Sequence, residues 1–283
     1  MHKRRESGGQ EEITMERELL YEVRGPKNIT EMTAAELEER LKETDMIVFS
    51  FGAIENHGKH LPLGCDSFQG NVLVRRVAEK LAEKGLPAVP GFAVPFGVQT
   101  NQFERCENFG NCYVSQKTLI AMTEELVLSL TKSGFKKFVF CVSHAENLAS
   151  MHVAAKDLAD NHGVTCIVCN WIPPMNDEWP KFLKNPEHQG HGGEDETSCT
   201  MVAVPKLVNL DNLPGWYPPE AAEHYKLDGL EYYGGAVGIY APLGSAQCPG
   251  YVGNPADATI EAGEKCYDLY AEWIASVVKK YLG

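Results

Sequence analysis

Four short runs of strand-forming residues, MIVFSFG (46–52), PAVPGFAVP (87–95), FKKFVFCVSH (135–144) and VTCIVCNW (164–171), are separated by three longer stretches of helical period. The helical stretches cover 67–85, 115–134 and 147–163, the last closed by Gly163 as a C-terminal cap. Strands joined through helices do not form hairpins. The alternation therefore implies an α/β fold with a mostly parallel sheet, helices covering both faces.

The rest of the chain fits that reading. Thr33-Ala-Ala-Glu36 is a capping box that starts a helix through LEERL. At the far end, Ile260, Tyr267, Tyr270, Ile274, Val277 and Tyr281 recur near helical spacing. Residues 205–256 are rich in Pro, Gly and Tyr without a period, and read as loops and short strands. No internal repeat or linker divides the chain, so 15–283 is expected to be one domain behind a mobile tail, 1–14.

Charge and cysteine content narrow the partners. A formal net charge of −13 disfavours a nucleic-acid surface, which needs clustered Lys and Arg, and favours a small uncharged or cationic substrate. No apolar run is long enough to span a membrane, and MHKRRESGGQEE lacks the apolar core of a secretory leader, so a cytoplasmic protein is expected. Nine cysteines, an odd number, then read as reduced thiols. Cys166 and Cys169 imitate a metal motif, but in a buried strand residues three apart face opposite sides, and core packing is the expected use.

Chemistry concentrates where strands end. Loops at the carboxyl ends of parallel strands line the ligand crevice. The first, GAIENHGKHLPLGCDS (52–67), carries Glu55 and His57, with Asp66 before the next helix; the second, SHAEN (143–147), carries His144 and Glu146. A third cluster, HQGHGGEDETS (188–198), sets His191 and three acids among glycines. Carboxylate and imidazole without thiolate suit zinc, manganese or iron in a catalytic setting. Two divalent ions and one hydroxide would balance Glu55, Asp66 and Glu146. His60 is expected to be structural, holding the Pro62 turn.

In that order, GAIENHGKHLPLGCD, SHAEN, HGGEDETS and PGYVGNPADAT resemble the creatininase (creatinine amidohydrolase) family over about residues 45–280. The resemblance implies a three-layer α/β/α fold, two divalent metal ions per chain, and hydrolysis of a small amide or cyclic amide. It implies Glu55, His57, Asp66, His144 and Glu146 as metal ligands, with Asp66 bridging. His191 would be the catalytic proton relay, Glu196 its support, and Gln99 and Glu194 would meet substrate. A homo-oligomer, with a hexamer as the form to test, is also implied.

Two departures bear on substrate. Pro95-Phe-Gly-Val-Gln99 stands where the family has Pro-x-Gly-x-Ser, and KNPEHQGH lacks the tryptophan expected before the catalytic histidine. Creatinine is therefore not the expected substrate. Deformylation or another ring opening on the same metals is the alternative within enzymes. A non-catalytic metal or small-molecule binding protein, and a cysteine hydrolase using Cys106 or Cys112, are the readings outside that class.

Overall fold

A computed structural model of the protein describes residues 19–98, 110–170, 172–186, 189–217 and 250–283. The expected tail, Gln99, Cys106, His188 and most of the 205–256 segment lie outside the described residues. Four strands, β1 (Met46–Phe51), β2 (Val89–Val94), β3 (Lys137–Val142) and β4 (Thr165–Cys169), form one parallel sheet in the order β2-β1-β3-β4.

Helices α1 (Ala34–Leu41), α2 (Cys65–Glu83), α3 (Gln116–Thr131) and α4 (Leu148–His162) alternate with the strands; the short turn α5 (Ile172–Met175), α6 (Glu194–Ala203) and α7 (Ile260–Leu282) follow. The Thr33 capping box is formed, and α4 ends at Gly163 in the left-handed region, φ 67°. Because successive strand side chains point to opposite faces, β1 divides itself between two cores. Met46 and Val48 pack with Leu73, Val77 and Leu81 of α2 and Ile274 of α7. Ile47, Phe49 and Phe51 pack with Leu119 and Val127 of α3 and Met151 and Leu158 of α4. The result is the three-layer α/β/α fold.

The sheet order explains why α2 and α3 lie on opposite faces. From β1 the chain moves outward to β2, then returns past β1 to β3, and right-handed crossovers in opposite directions cover opposite faces. That reversal leaves a crevice between the carboxyl ends of β1 and β3. Among the described residues no helix is long and apolar enough to cross a membrane.

Two local expectations need correction. Among the described residues β4 is at the edge of the sheet, paired with β3 alone, and its residues are mostly half-buried. Cys166 and Cys169 nonetheless split between the two cores as the period-2 rule requires. In α7, Ile260 and Tyr281 are exposed at the ends, while Cys266, Ala271, Ala275 and Val278 complete the buried stripe. A stripe read from large side chains alone omits the small residues that allow close helix packing.

Candidate metal centre

The backbone first brings the two strand-end loops together. Ser143 N and His144 N both donate to Phe51 O, at 3.0 and 3.1 Å, so the turn after β3 is fastened to the end of β1. Asn147 ties the same corner: its Nδ2 donates to Phe51 O and Gly52 O, and its Oδ1 accepts from Val98 N. Gly52 lets the first turn of α2 come close, since a Cβ there would lie 2.9 Å from the Asp66 Cβ. Glu55, His57, Asp66 and His144 thereby meet, each 5% exposed or less.

The imidazoles face the wrong way for a simple hydrogen-bonded core. His144 Nε2 donates to Val98 O at 2.9 Å, which leaves Nδ1 3.1 Å from Glu55 Oε2 and 3.2 Å from Asp66 Oδ2. Among the described residues, no donor other than that imidazole faces those two buried carboxylate oxygens. His57 repeats the arrangement, with Nδ1 donating to Glu55 O at 3.1 Å and Nε2 lying 3.0 Å from Asp66 Oδ1 and 3.4 Å from Glu196 Oε2. Each imidazole nitrogen thus looks into a pair of carboxylate oxygens, and acceptors that converge while buried call for a cation between them.

Electrostatics agree. Burial would depress the His57 imidazole, yet Asp66, with Glu196 and Glu55, lifts it to about 10; His144 is raised in the same manner by Glu55 and Asp66. Burial would raise Glu55 and Asp66, yet the facing histidines hold both below the ordinary carboxylate range. In the metal-free chain an imidazolium supplies the positive charge; divalent ions would supply it better. Donor chemistry, convergence and those buried oxygens all fit two metal positions sharing Asp66: Glu55, Asp66 and His144 around one, His57, Asp66 and Glu196 around the other.

Several site residues fall where the sequence did not put them. Glu146 sits half-buried on the helical turn Ala145–Asn147 and, among the described residues, joins none of the groups of facing ligand atoms; Glu196 stands in the group around His57. Glu196 is in the first turn of α6, where Gly192 N donates to its Oε2 at 2.8 Å. Exchange of one carboxylate for another keeps the charge balance of three acids against two divalent ions and a hydroxide. Glu194, expected to face substrate, is 2% exposed, and its carboxylate accepts from Lys184 N and Asn185 N, so it anchors the loop ahead of it.

His191 is at the centre. Its ring stacks on His57 at 4.3 Å, its Nε2 donates to Asn56 O at 2.8 Å, and its Nδ1 lies 3.9 Å from Glu55 Oε2. Burial, with His57 beside it, lowers His191 to about 4 despite Glu55, so the ring is neutral at pH 7. His60 is structural as expected, but its Nε2 reaches Gly192 O and Thr197 Oγ1 and so fastens the start of α6 rather than the Pro62 turn.

Two neighbours went unread in the sequence. Tyr113 OH donates to Glu55 Oε1 at 3.2 Å, holding the oxygen that does not face His144. Cys65, next to Asp66 on α2, is fully buried beside His57 and Glu196, and burial pushes its thiol well above the usual range. Cys65 adjoins a ligand in sequence and was legible in principle; Tyr113 carried no local signal.

The creatinine amidohydrolase profile of the creatininase family matches residues 30–278. The chain belongs to the creatininase family. It is a hydrolase of the amidohydrolase class, which acts on non-peptide C–N bonds. A 3-dehydro-scyllo-inosose hydrolase of Thermotoga maritima is 25% identical over 264 residues, covering 88% of this chain and 81% of that protein. The creatinine amidohydrolase of Pseudomonas putida is 23% identical over 270 residues, 89% of this chain and 96% of that one. A manganese creatininase superposes with a TM-score of 0.68 at 22% identity, over 90% of this chain and 98% of its own. For a creatininase-family chain, the parallel sheet and the cluster at its carboxyl edge are one consistent picture.

Proposed function

We propose that this creatininase-family protein is a binuclear metal-dependent amidohydrolase that opens a C–N bond in a small amide or cyclic amide. The observation that carries the reading is the pair of imidazole nitrogens, His144 Nδ1 and His57 Nε2, each aimed between two carboxylate oxygens with Asp66 common to both. Zinc or manganese suits these donors, and iron is admitted by the same chemistry. When bound, the metal pair supplies an acidified water and an electrophile for the substrate carbonyl.

The chain's own groups do the rest. Hydrogen bonds from His57 Nδ1 to Glu55 O and from His144 Nε2 to Val98 O hold each ring with its other nitrogen toward the carboxylates. Asn56 O does the same for His191, whose Nδ1, on the Glu55 side of the ring, accepts the proton released by the attacking water and returns it to the departing nitrogen. A neutral ring is the correct starting state for that order. Deep burial of Glu55, His57, Asp66 and His144 keeps bulk water from the reacting groups.

The test is elemental analysis of protein purified without chelator, combined with a metal-replete screen over cyclic amides, formamides and ureido compounds. About two divalent ions per chain and a chelator-sensitive hit are expected. Occupancy well below one per chain after adding zinc or manganese overturns the binuclear reading. 3-dehydro-scyllo-inosose belongs in the same screen, because a 25% identical relative is named for its hydrolysis.

A further inference from the structure

The two metal positions do not have the same donors. Around His144 the facing atoms are oxygen and nitrogen only, from Glu55, Asp66 and His144. Around His57 a fourth atom joins: Cys65 Sγ lies with the ligand atoms of His57, Asp66 and Glu196, all within 4.8 Å of one another. The three donors of the first group are hard or borderline, whereas a thiolate is soft.

Cys65 also packs with Leu61 and Val208, and a buried cysteine is ordinarily only a small hydrophobe. Two features separate it from the other buried thiols, Cys141, Cys169, Cys199 and Cys266, which belong to the larger core beside α7. It stands in the first turn of α2 beside Asp66, where amide dipoles favour a negative sulfur. Gln69 Nε2 also donates to Sγ at 3.0 Å, and Thr200 Oγ1 lies 3.1 Å away, free to turn its hydrogen from Glu196 O onto the sulfur. The groups that would hold a thiolate in place are therefore built. Cys199, 1% exposed on the same face, has no partner among the metal-facing groups.

We infer that Cys65 is a sulfur ligand of the His57 position, so that the centre pairs one thiophilic site with one oxygen-and-nitrogen site. The Cys65 S–H bond breaks as a sulfur–metal bond forms, and the proton leaves to solvent, which puts one negative charge on the centre beyond the balance of three acids and a hydroxide against two divalent ions. The His57 position then prefers zinc or cobalt over manganese, while the His144 position accepts manganese. This inference rests on the binuclear reading above.

Cobalt(II) tests it without relying on activity. Apoprotein loaded with two equivalents of cobalt should show the intense near-ultraviolet charge-transfer band of a cobalt–thiolate bond. Cys65→Ser and Cys65→Ala should lose the band while still binding cobalt, and Cys199→Ser should keep it. In zinc–manganese competition, Cys65→Ser should lose roughly tenfold or more of the zinc preference at one position, the scale of weakened metal-site contacts. Two bound cobalt ions without a thiolate band in the wild-type chain overturn the sulfur ligand and leave the binuclear reading standing. A band that survives in both Cys65 variants also overturns it. No cobalt bound overturns the binuclear reading itself and the sulfur ligand with it.

Discussion

Asn147→Ala offers the sharpest test of how the fold builds the site. The side chain is fully buried and makes three hydrogen bonds, donating to Phe51 O at 3.2 Å and Gly52 O at 3.0 Å and accepting from Val98 N at 3.0 Å. Each is worth a net of about 1 kcal/mol, and a buried N–H left unpaired at Val98 costs about 1–3 kcal/mol in its own right. We expect a loss of about 3 kcal/mol, or roughly 5–10 °C in Tm for a chain of this size. The damage should reach the metals, because Val98 O is the acceptor that fixes His144 Nε2. A loosened ring should weaken one ion by roughly 10–100-fold. Urea unfolding in chelator measures the first effect free of metal linkage, and metal titration of the folded variant measures the second. Asn147→Asp should do no better, since it keeps the acceptor for Val98 N but sets a carboxylate oxygen against two carbonyls. A loss under about 1 kcal/mol with unchanged metal affinity would refute the reasoning.

Asp66→Ala should release both ions together, because its two oxygens face different histidines; retention of two tight ions in elemental analysis would contradict the shared role. Glu196→Ala should cost more metal affinity than Glu146→Ala, and titration showing the reverse would restore Glu146 as the ligand. His191→Ala should keep the fold and both metals while turnover falls on the order of a hundredfold or more, as for a removed general acid or base. Loss of metal in that variant would make His191 a ligand instead. Creatinine should be turned over weakly or not at all with zinc or manganese bound; a kcat/KM of roughly 10⁴ M⁻¹s⁻¹ or above would show that Gln99 and the missing tryptophan do not set specificity.

Local physics was readable in the sequence. MIVFSF and KFVFCV read as strands, because their branched and aromatic side chains fit a pleated surface buried on both faces. The period of α2 and the cap at Thr33 are likewise short-range. From alternation alone it followed that Glu55, His57 and His144 would emerge at the carboxyl edge of one parallel sheet.

Distance in space decided the remainder. Glu146 and Glu196 are chemically the same carboxylate, and the return of α6 to His57, held by His60 across 132 residues, is what brings the second within 3.4 Å of that ring. Cys65 becomes a candidate ligand for the same reason, since Thr200 and Glu196 meet it from α6. Glu194 turned inward to backbone amides because a buried carboxylate must find donors, and the loop at Lys184 and Asn185 offered them. Which residue bears charge in a strand-end loop is a property of the chain. Which charged atoms come within a few ångströms of one another is set by how α2 and α6 pack around that loop, and no spacing along the sequence encodes it.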